Sequence, residues 1–448
     1  MTQATMPTVD ELSTLLEALG ETPPDVDDAV RIDLIASLEA LKGAAAAAQA
    51  RITVAFDASQ RAEQAARGVP AQEQGRGIAG QVALARKDSP VKGSRHLGLA
   101  KALVREMPHT LRALSRGDIS EWRATLLVRE TAVLSSEHRS EVDRRLSTRL
   151  ATLGDRAVER EAKKVAYALD PGSVTRRTRG ANADRRVSLR PAPDTMSYLT
   201  GFLPVAQGVA VHAALRKHAD AAKSAGDPRS RGQIMADTLV SRITGQEQAS
   251  AVPVEVHLVM TARSLLAGAD DPAHLIGYGP VPASLARQII LAPDDLARRA
   301  QVWVRRLFTS PVTGDLVAME SHRREFSGQL RRFLVIRDDV CRTPWCDAPI
   351  RHADHVRRAA DAGPTAAHNG QGLCERCNQT KEVVGWAASA SRAGPGAPVT
   401  VTTPTGHRYT STAPDPPGDR PPLAAVRAVR SDRASVLEGR VGALLASV

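Results

Sequence analysis

The stretch LRRFLVIRDDVCRTPWCDAPIRHADHVRRAADAGPTAAHNGQGLCERCNQTKEVVGW, residues 330–386, decides how this chain reads. It holds all 4 cysteines of the 448-residue sequence. Cys341 and Cys346 form a CxxxxC pair, Cys374 and Cys377 a CxxC pair, with 27 residues between the pairs. Thiols clustered in this way point to metal ligation rather than to disulfides. Two short pairs, each on its own turn, place four thiolates tetrahedrally around one zinc ion. Four thiolates leave no open position on the metal, so such a zinc is structural. A short segment with few large apolar side chains needs a staple of that kind. Four unrelated buried thiols are the plain alternative.

Between the pairs lie His352, Asp354 and His355, then Gly363-Pro364, then His368-Asn369-Gly370. Asn378 follows the last cysteine, and Lys381 stands three residues beyond it. A zinc ribbon used only for binding has no need of the Asp354-His355 pair. The constellation resembles the HNH nuclease family, whose fold is a β-hairpin and a helix around one catalytic divalent metal (ββα-metal). The resemblance covers about residues 331–386. The wording RHADHV, NGQGLCERCN and PTGHRY (404–409) is similar to actinobacterial HNH proteins that carry a large N-terminal domain of unknown function. Residues 1–320 would then be that domain.

The resemblance implies a metal-dependent endonuclease that hydrolyses DNA phosphodiester bonds. Such hydrolysis needs a base to activate water and positive charge on the leaving oxygen. The resemblance assigns the base to His355, whose imidazole titrates near neutrality. It assigns the divalent ion to Asp354 and Asn378, and gives Asn369 the task of holding the hairpin and orienting the base. One imidazole and one carboxylate are thus expected to face a single scissile phosphate. Asn378 stands where the family usually has histidine, and an amide oxygen suits magnesium or manganese better than softer metals. Ala362 stands where a Gly-Gly turn is common. Plainer readings stay open: His355 as a structural hairpin residue, Asp354 as a solvated turn carboxylate, Asn369 as a turn former, Asn378 as a helix cap. His352 and His368 read as non-catalytic. The competing function is a non-catalytic zinc protein, binding DNA or a partner, with a degenerate nuclease module.

Residues 323–392 hold 12 Lys and Arg against 8 Asp and Glu, a net of +4. Arg337, Arg351, Arg357, Arg358 and Lys381 are the candidate DNA contacts, with Arg331 and Arg332 nearby; contacts to phosphate give affinity without sequence reading. Trp345 and Trp386 read as packing residues.

Outward from this module, the expected class is α+β: a helical front over 1–180, a mixed segment over 184–320, the module with a C-terminal hairpin over 325–412, and a Pro-rich linker with a terminal helix over 413–448. Leu34, Ile35, Leu38 and Leu41 share one helical face. Ser120 is placed as an N-cap after the Gly117-Asp118 turn, with Ile119, Trp122 and Leu126 on one face. Helix, Gly turn and helix fit either a DNA-reading helix-turn-helix or a plain bundle. RRVSLR, MSYLTGFLP and VPVEVHLVM read as strands, with helices at 207–222 and 229–244 and a hairpin across SPVTGD. PVTVTTPTGHRYTSTA reads as a hairpin that extends the module's sheet. GRGIAG at 75–80 matches GxGxxG, but no strand precedes it, so it reads as a Gly-rich loop.

Hydrophobic residues at 42% and charged residues at 24% exclude a mainly disordered chain. A net charge of +11 favours polyanionic partners. Only 9 of the 60 basic residues are lysine, so part of that charge is an arginine and alanine bias. No apolar run reaches 18 residues, so no membrane partner is expected. The acidic N-terminus lacks a signal-peptide pattern, so a cytoplasmic location is expected.

Overall fold

The structure is a computed structural model that describes residues 6–21, 25–245, 258–266, 268–276, 278–291, 326–390 and 397–415. It is α+β, and it divides into two compact units: residues 1–55 with 99–171, and residues 56–98 with 172–448.

The helices of the leading part are α1 (Val9–Gly20), α2 (Asp28–Ala66), α3 (Ile78–Ala85), α4 (Pro90–Arg105), α5 (Pro108–Ser115), α6 (Glu121–Glu130), α7 (Ser136–Leu146), α8 (Asp155–Leu169) and α9 (Pro171–Ala181). The core of the first unit is a bundle interior of Ala47, Leu103, Met107, Leu114, Leu127, Val142 and Val158. Small residues allow close approach there. Gly117 has φ +74°, and a Cβ on it would lie 2.4 Å from Ala40 Cα, so the turn between α5 and α6 is closed to larger residues. Ser120 caps α6 by accepting from the Arg123 amide. Buried Asp143 on α7 accepts from the His109 and Thr110 amides and so satisfies the first turn of α5.

Two expected faces differ from the sequence reading. Leu34, Ile35, Leu38 and Leu41 lie on a helix, but they are exposed. Ile119 and Leu126 are buried while Trp122 points to solvent. Leu114, Ile119 and Leu127 join the common core, which is the packing of a bundle.

In the second unit, β1 (Arg186–Pro191) and β2 (Ser197–Phe202) form an antiparallel ribbon, followed by α10 (Val205–Ser224) and α11 (Arg231–Thr244). A small antiparallel sheet comes next, with β3 (Leu258–Val259), β4 (Ala273–Leu275) and β5 (Gly279–Val281), together with α12 (Ala262–Leu266) and α13 (Ala283–Leu291). Of VPVEVHLVM, Leu258 and Val259 are strand; its first six residues, the hairpin across SPVTGD and the terminal helix over 423–448 lie outside the described residues.

The cysteine-bearing segment folds as α14 (Gly328–Asp338), β6 (His352–His355), β7 (Gly370–Leu373) and α15 (Glu375–Lys381). β6 and β7 are an antiparallel pair that places His355 opposite Gly370 and Asp354 opposite Gln371. The C-terminal hairpin does not extend this pair, contrary to expectation. β9 (Val399–Thr402) and β10 (Arg408–Ser411) join β8 (Ala387–Ala390) in a separate antiparallel sheet. That sheet is tied to the module through Arg342, whose Nη2 donates to the carbonyls of Ala397 and Ser411.

Of GRGIAG, residues 75–77 form a loop, with Gly75 and Gly77 at φ +91° and +82°, while residues 78–80 already open α3, contrary to the reading of the whole stretch as loop. Its glycines make room for Trp386, a buried packing residue: a Cβ on Gly77 would lie 2.6 Å from Trp386 Nε1. Among the described residues, no helix is long and apolar enough to cross a membrane.

Candidate metal and catalytic site

Cys341, Cys346, Cys374 and Cys377 are buried, and their sulfur atoms all lie within 4.8 Å of one another. Cys346 Sγ is 3.7 Å from Cys374 Sγ and 3.6 Å from Cys377 Sγ. Four sulfurs around zinc at about 2.3 Å stand about 3.8 Å apart, so this cluster fits a tetrahedral ion. The knuckles arise locally. Trp345 and Asp347, on either side of Cys346, have positive φ and turn the chain tightly. Cys374 caps α15, accepting from the Cys377 amide. Crowding splits the thiols: Cys374 is held far down by hydrogen bonds from Cys341, Cys346 and Cys377, and Cys377 is pushed far up by Cys341, Cys346 and Cys374. A metal that takes all four as thiolates removes that conflict.

The hairpin is fixed from below by a buried ion cluster. Asp338 is fully buried between Arg337 and Arg342, and its Oδ2 accepts from the Gly372 amide on β7 at 2.7 Å. Arg337 also donates to the carbonyls of Ala367 and Gly370. With its guanidinium spent on these partners and only 6% exposed, Arg337 is a structural residue and does not face a DNA backbone, contrary to the sequence reading.

Asp354 and His355 are neighbours on β6, and successive strand side chains leave opposite faces. Asp354 meets α15, where Lys381 Nζ ion-pairs with its Oδ2. That oxygen is buried. His355 turns the other way, its ring 4.6 Å from Phe326 and its Nε2 3.0 Å from Thr365 Oγ1. On the same face as His355, a Cβ on Gly370 would strike Leu334 and Phe326. The expectation that imidazole and carboxylate face a single scissile phosphate therefore meets strand alternation, which sends the two side chains to opposite faces of β6.

Asn369 is buried and pins the long loop that leaves β6. Its Oδ1 accepts from the Arg357 amide at 2.9 Å, and its Nδ2 donates to the carbonyls of Arg357 and Pro364 at 3.0 and 2.9 Å. The same loop supplies Thr365, so Asn369 holds the partner of His355 in place. Ala362 sits in that loop at φ +59°, the left-handed region that favours glycine. Asn378 is half-exposed on α15, three residues before Lys381 and so on the same side of the helix.

Lys381 is 9% exposed and turned inward, with Nζ 2.8 Å from the His355 carbonyl oxygen. Contrary to the sequence reading it does not face a DNA backbone, because its charge is already spent on Asp354. Arg351 and Arg357 are exposed, whereas Arg358 is partly covered and donates to the Lys381 carbonyl at 3.0 Å. His352 and His368 are exposed and outside the cluster. Thr365, Phe326 and Gln371 escaped the sequence reading. Of these, only Thr365 had a signal, its place directly after Gly363-Pro364.

The model of the domain of unknown function DUF222 matches residues 37–338. An uncharacterized protein of Mycobacterium tuberculosis, Rv3776, is 33% identical over 142 residues, which is 31% of this chain and 24% of that relative. The chain thus spans about a quarter of the length of that relative. No solved structure matches. With the matched stretch covering well over half of its length, the chain belongs to the DUF222 family.

Proposed function

We propose that the thiolate-stapled hairpin and helix form an HNH-type (ββα-metal) module that hydrolyses DNA phosphodiester bonds with a divalent ion. The observation that carries this reading is Asp354. Its buried Oδ2 faces α15, where Lys381, on the same side of the helix as Asn378, already sets a positive charge against it. A largely buried carboxylate needs a cation beside it, a place that the Lys381 ammonium fills here and that a metal ion can take over. A carboxylate and an amide, completed by water, suit magnesium or manganese. The Lys381 ammonium has to leave Asp354 before an ion binds there.

When bound, such an ion supplies positive charge to the leaving oxygen. The rest of the chemistry falls to the chain. His355 takes the proton from the attacking water, with its ring held by Phe326 and Thr365. Because the two side chains leave opposite faces, the scissile phosphate belongs at the end of β6, where His355 is the last strand residue. Asn369 acts as a positioning residue through the loop that carries Thr365. The zinc cluster keeps β7 and α15 in register. Arg351, Arg357 and Arg358 supply phosphate contacts. A substrate of this kind fits a cytoplasmic setting.

The second reading is a non-catalytic zinc protein with a degenerate nuclease. It is favoured by the ion pair that already neutralises Asp354 and by the opposed directions of Asp354 and His355. Incubation of the full chain with supercoiled plasmid separates the two. Nicking or cutting that needs added magnesium or manganese supports the nuclease, and intact plasmid across both metals supports the alternative.

A further inference from the structure

The ribbon of β1 and β2 carries features that the nuclease reading does not use. Residues 176–190 contain 6 arginines and 1 aspartate. The register places Arg186 opposite Phe202 and Arg190 opposite Tyr198, with Ser188 opposite Thr200 between them. One face of the ribbon therefore bears two guanidinium groups, two rings and three hydroxyls, those of Ser188, Thr200 and Tyr198. Each arginine lies over its cross-strand ring, Arg186 at 4.7 Å from the Phe202 centroid and Arg190 at 4.3 Å from that of Tyr198. All of these residues are exposed. Among the described residues, no carboxylate pairs with Arg186 or Arg190.

Stacking on a ring restrains a guanidinium without neutralising it or using up its donors. Arg186 Nη1 also donates to the Asp184 carbonyl at 3.2 Å, and the strip thus presents two oriented guanidinium groups that no carboxylate neutralises. A two-stranded ribbon is of a size to enter the major groove, about 12 Å wide. The ribbon is not a free arm. The Tyr278 hydroxyl, in the turn between β4 and β5, binds the carbonyls of Ala192 and Met196 at the ribbon's turn, at 3.1 and 3.0 Å. On the same sheet, His274 Nε2 lies 3.0 Å from Asp339 Oδ1, at the end of α14. The ribbon is therefore tied through one small sheet to the helix under the catalytic hairpin.

We propose that the Arg186–Arg190 face of this ribbon is a duplex-DNA binding site that holds substrate for the module. The inference rests on the reading of DNA as substrate, but its test needs no cleavage. Binding of a fluorescent duplex oligonucleotide is measured by anisotropy over a range of salt, with the full chain in the His355→Ala background and no added divalent ion. The double substitution Arg186→Gln with Arg190→Gln is expected to weaken binding at least about tenfold and to lower the salt slope by about two. The double Lys substitution keeps the charge and is expected to retain most of the slope. Unchanged folding by circular dichroism and unchanged zinc content separate this loss from collapse of the ribbon. Equal affinity and slope in parent and Gln variant overturn the proposal. So does a loss confined to anionic phospholipid vesicles, which would assign the face to a membrane surface. If the parent binds through these arginines but never cuts with magnesium or manganese, the ribbon stands and the nuclease reading fails.

Discussion

The ammonium of Lys381 is ion-paired with the carboxylate of Asp354 and at the same time donates to the His355 carbonyl oxygen. One lysine from α15 thus ties the helix to the strand and takes the place on Asp354 that a metal would fill. Lys381→Met leaves a mostly buried carboxylate without a counter-charge. Without added metal the variant is expected to lose about 2 to 3 kcal/mol in urea unfolding. Manganese should restore much of that loss and should bind the variant more tightly than the parent in calorimetry. Equal manganese affinity in the two proteins would mean that Asp354 is not an ion site.

The four-sulfur cluster predicts one zinc per chain. Elemental analysis of the purified protein should find it, and Cys374→Ser should remove it. Thiolates must be deprotonated to bind, so zinc is expected to leave as pH falls and to return on neutralisation. Removal by a chelator should open the hairpin and α15 to protease. A zinc-free protein with the same protease resistance would show that the cluster is only four packed thiols.

Asn369→Ala deletes three hydrogen bonds from a buried site. At about 1 kcal/mol each, the cost is expected to be about 2 to 4 kcal/mol, including the unsatisfied amide and carbonyl of Arg357. The loop from 356 to 369 should become the first site of proteolysis. A stability within a few tenths of a kcal/mol of the parent contradicts the pinning role.

Ala362 occupies a left-handed position that costs a residue with a Cβ about 1 to 2 kcal/mol. Ala362→Gly relieves this at some cost in unfolded-chain entropy. The net expectation is a gain of up to about 1 kcal/mol with no change in zinc content. A clear loss of stability would show that the Ala362 methyl contributes packing.

Much of this was legible because its chemistry is local. The two cysteine pairs, the turn chemistry around Gly117 and Ser120, and the strand alternation of RRVSLR depend on residues close in sequence. What the sequence did not reveal depends on long-range placement. Whether the leucines of α2 are covered depends on neighbours that periodicity cannot supply. Arg337 and Lys381 read as surface charge because basic residues usually are. Their burial follows from Asp338 and Asp354, partners that charge counting does not rank. The opposed faces of Asp354 and His355 follow from strand alternation, once β6 is known to end at His355. The pairing of β9 with β8 rather than with the hairpin is a choice of sheet partner, which local pattern leaves open.

The most direct test of the account is cleavage of supercoiled plasmid by the parent, Asp354→Ala and His355→Ala, each shown to carry zinc, in magnesium and in manganese. The account predicts metal-dependent nicking or cutting by the parent and a loss of about a hundredfold or more in His355→Ala with zinc retained. A zinc-replete His355→Ala protein that cuts as fast as the parent contradicts it.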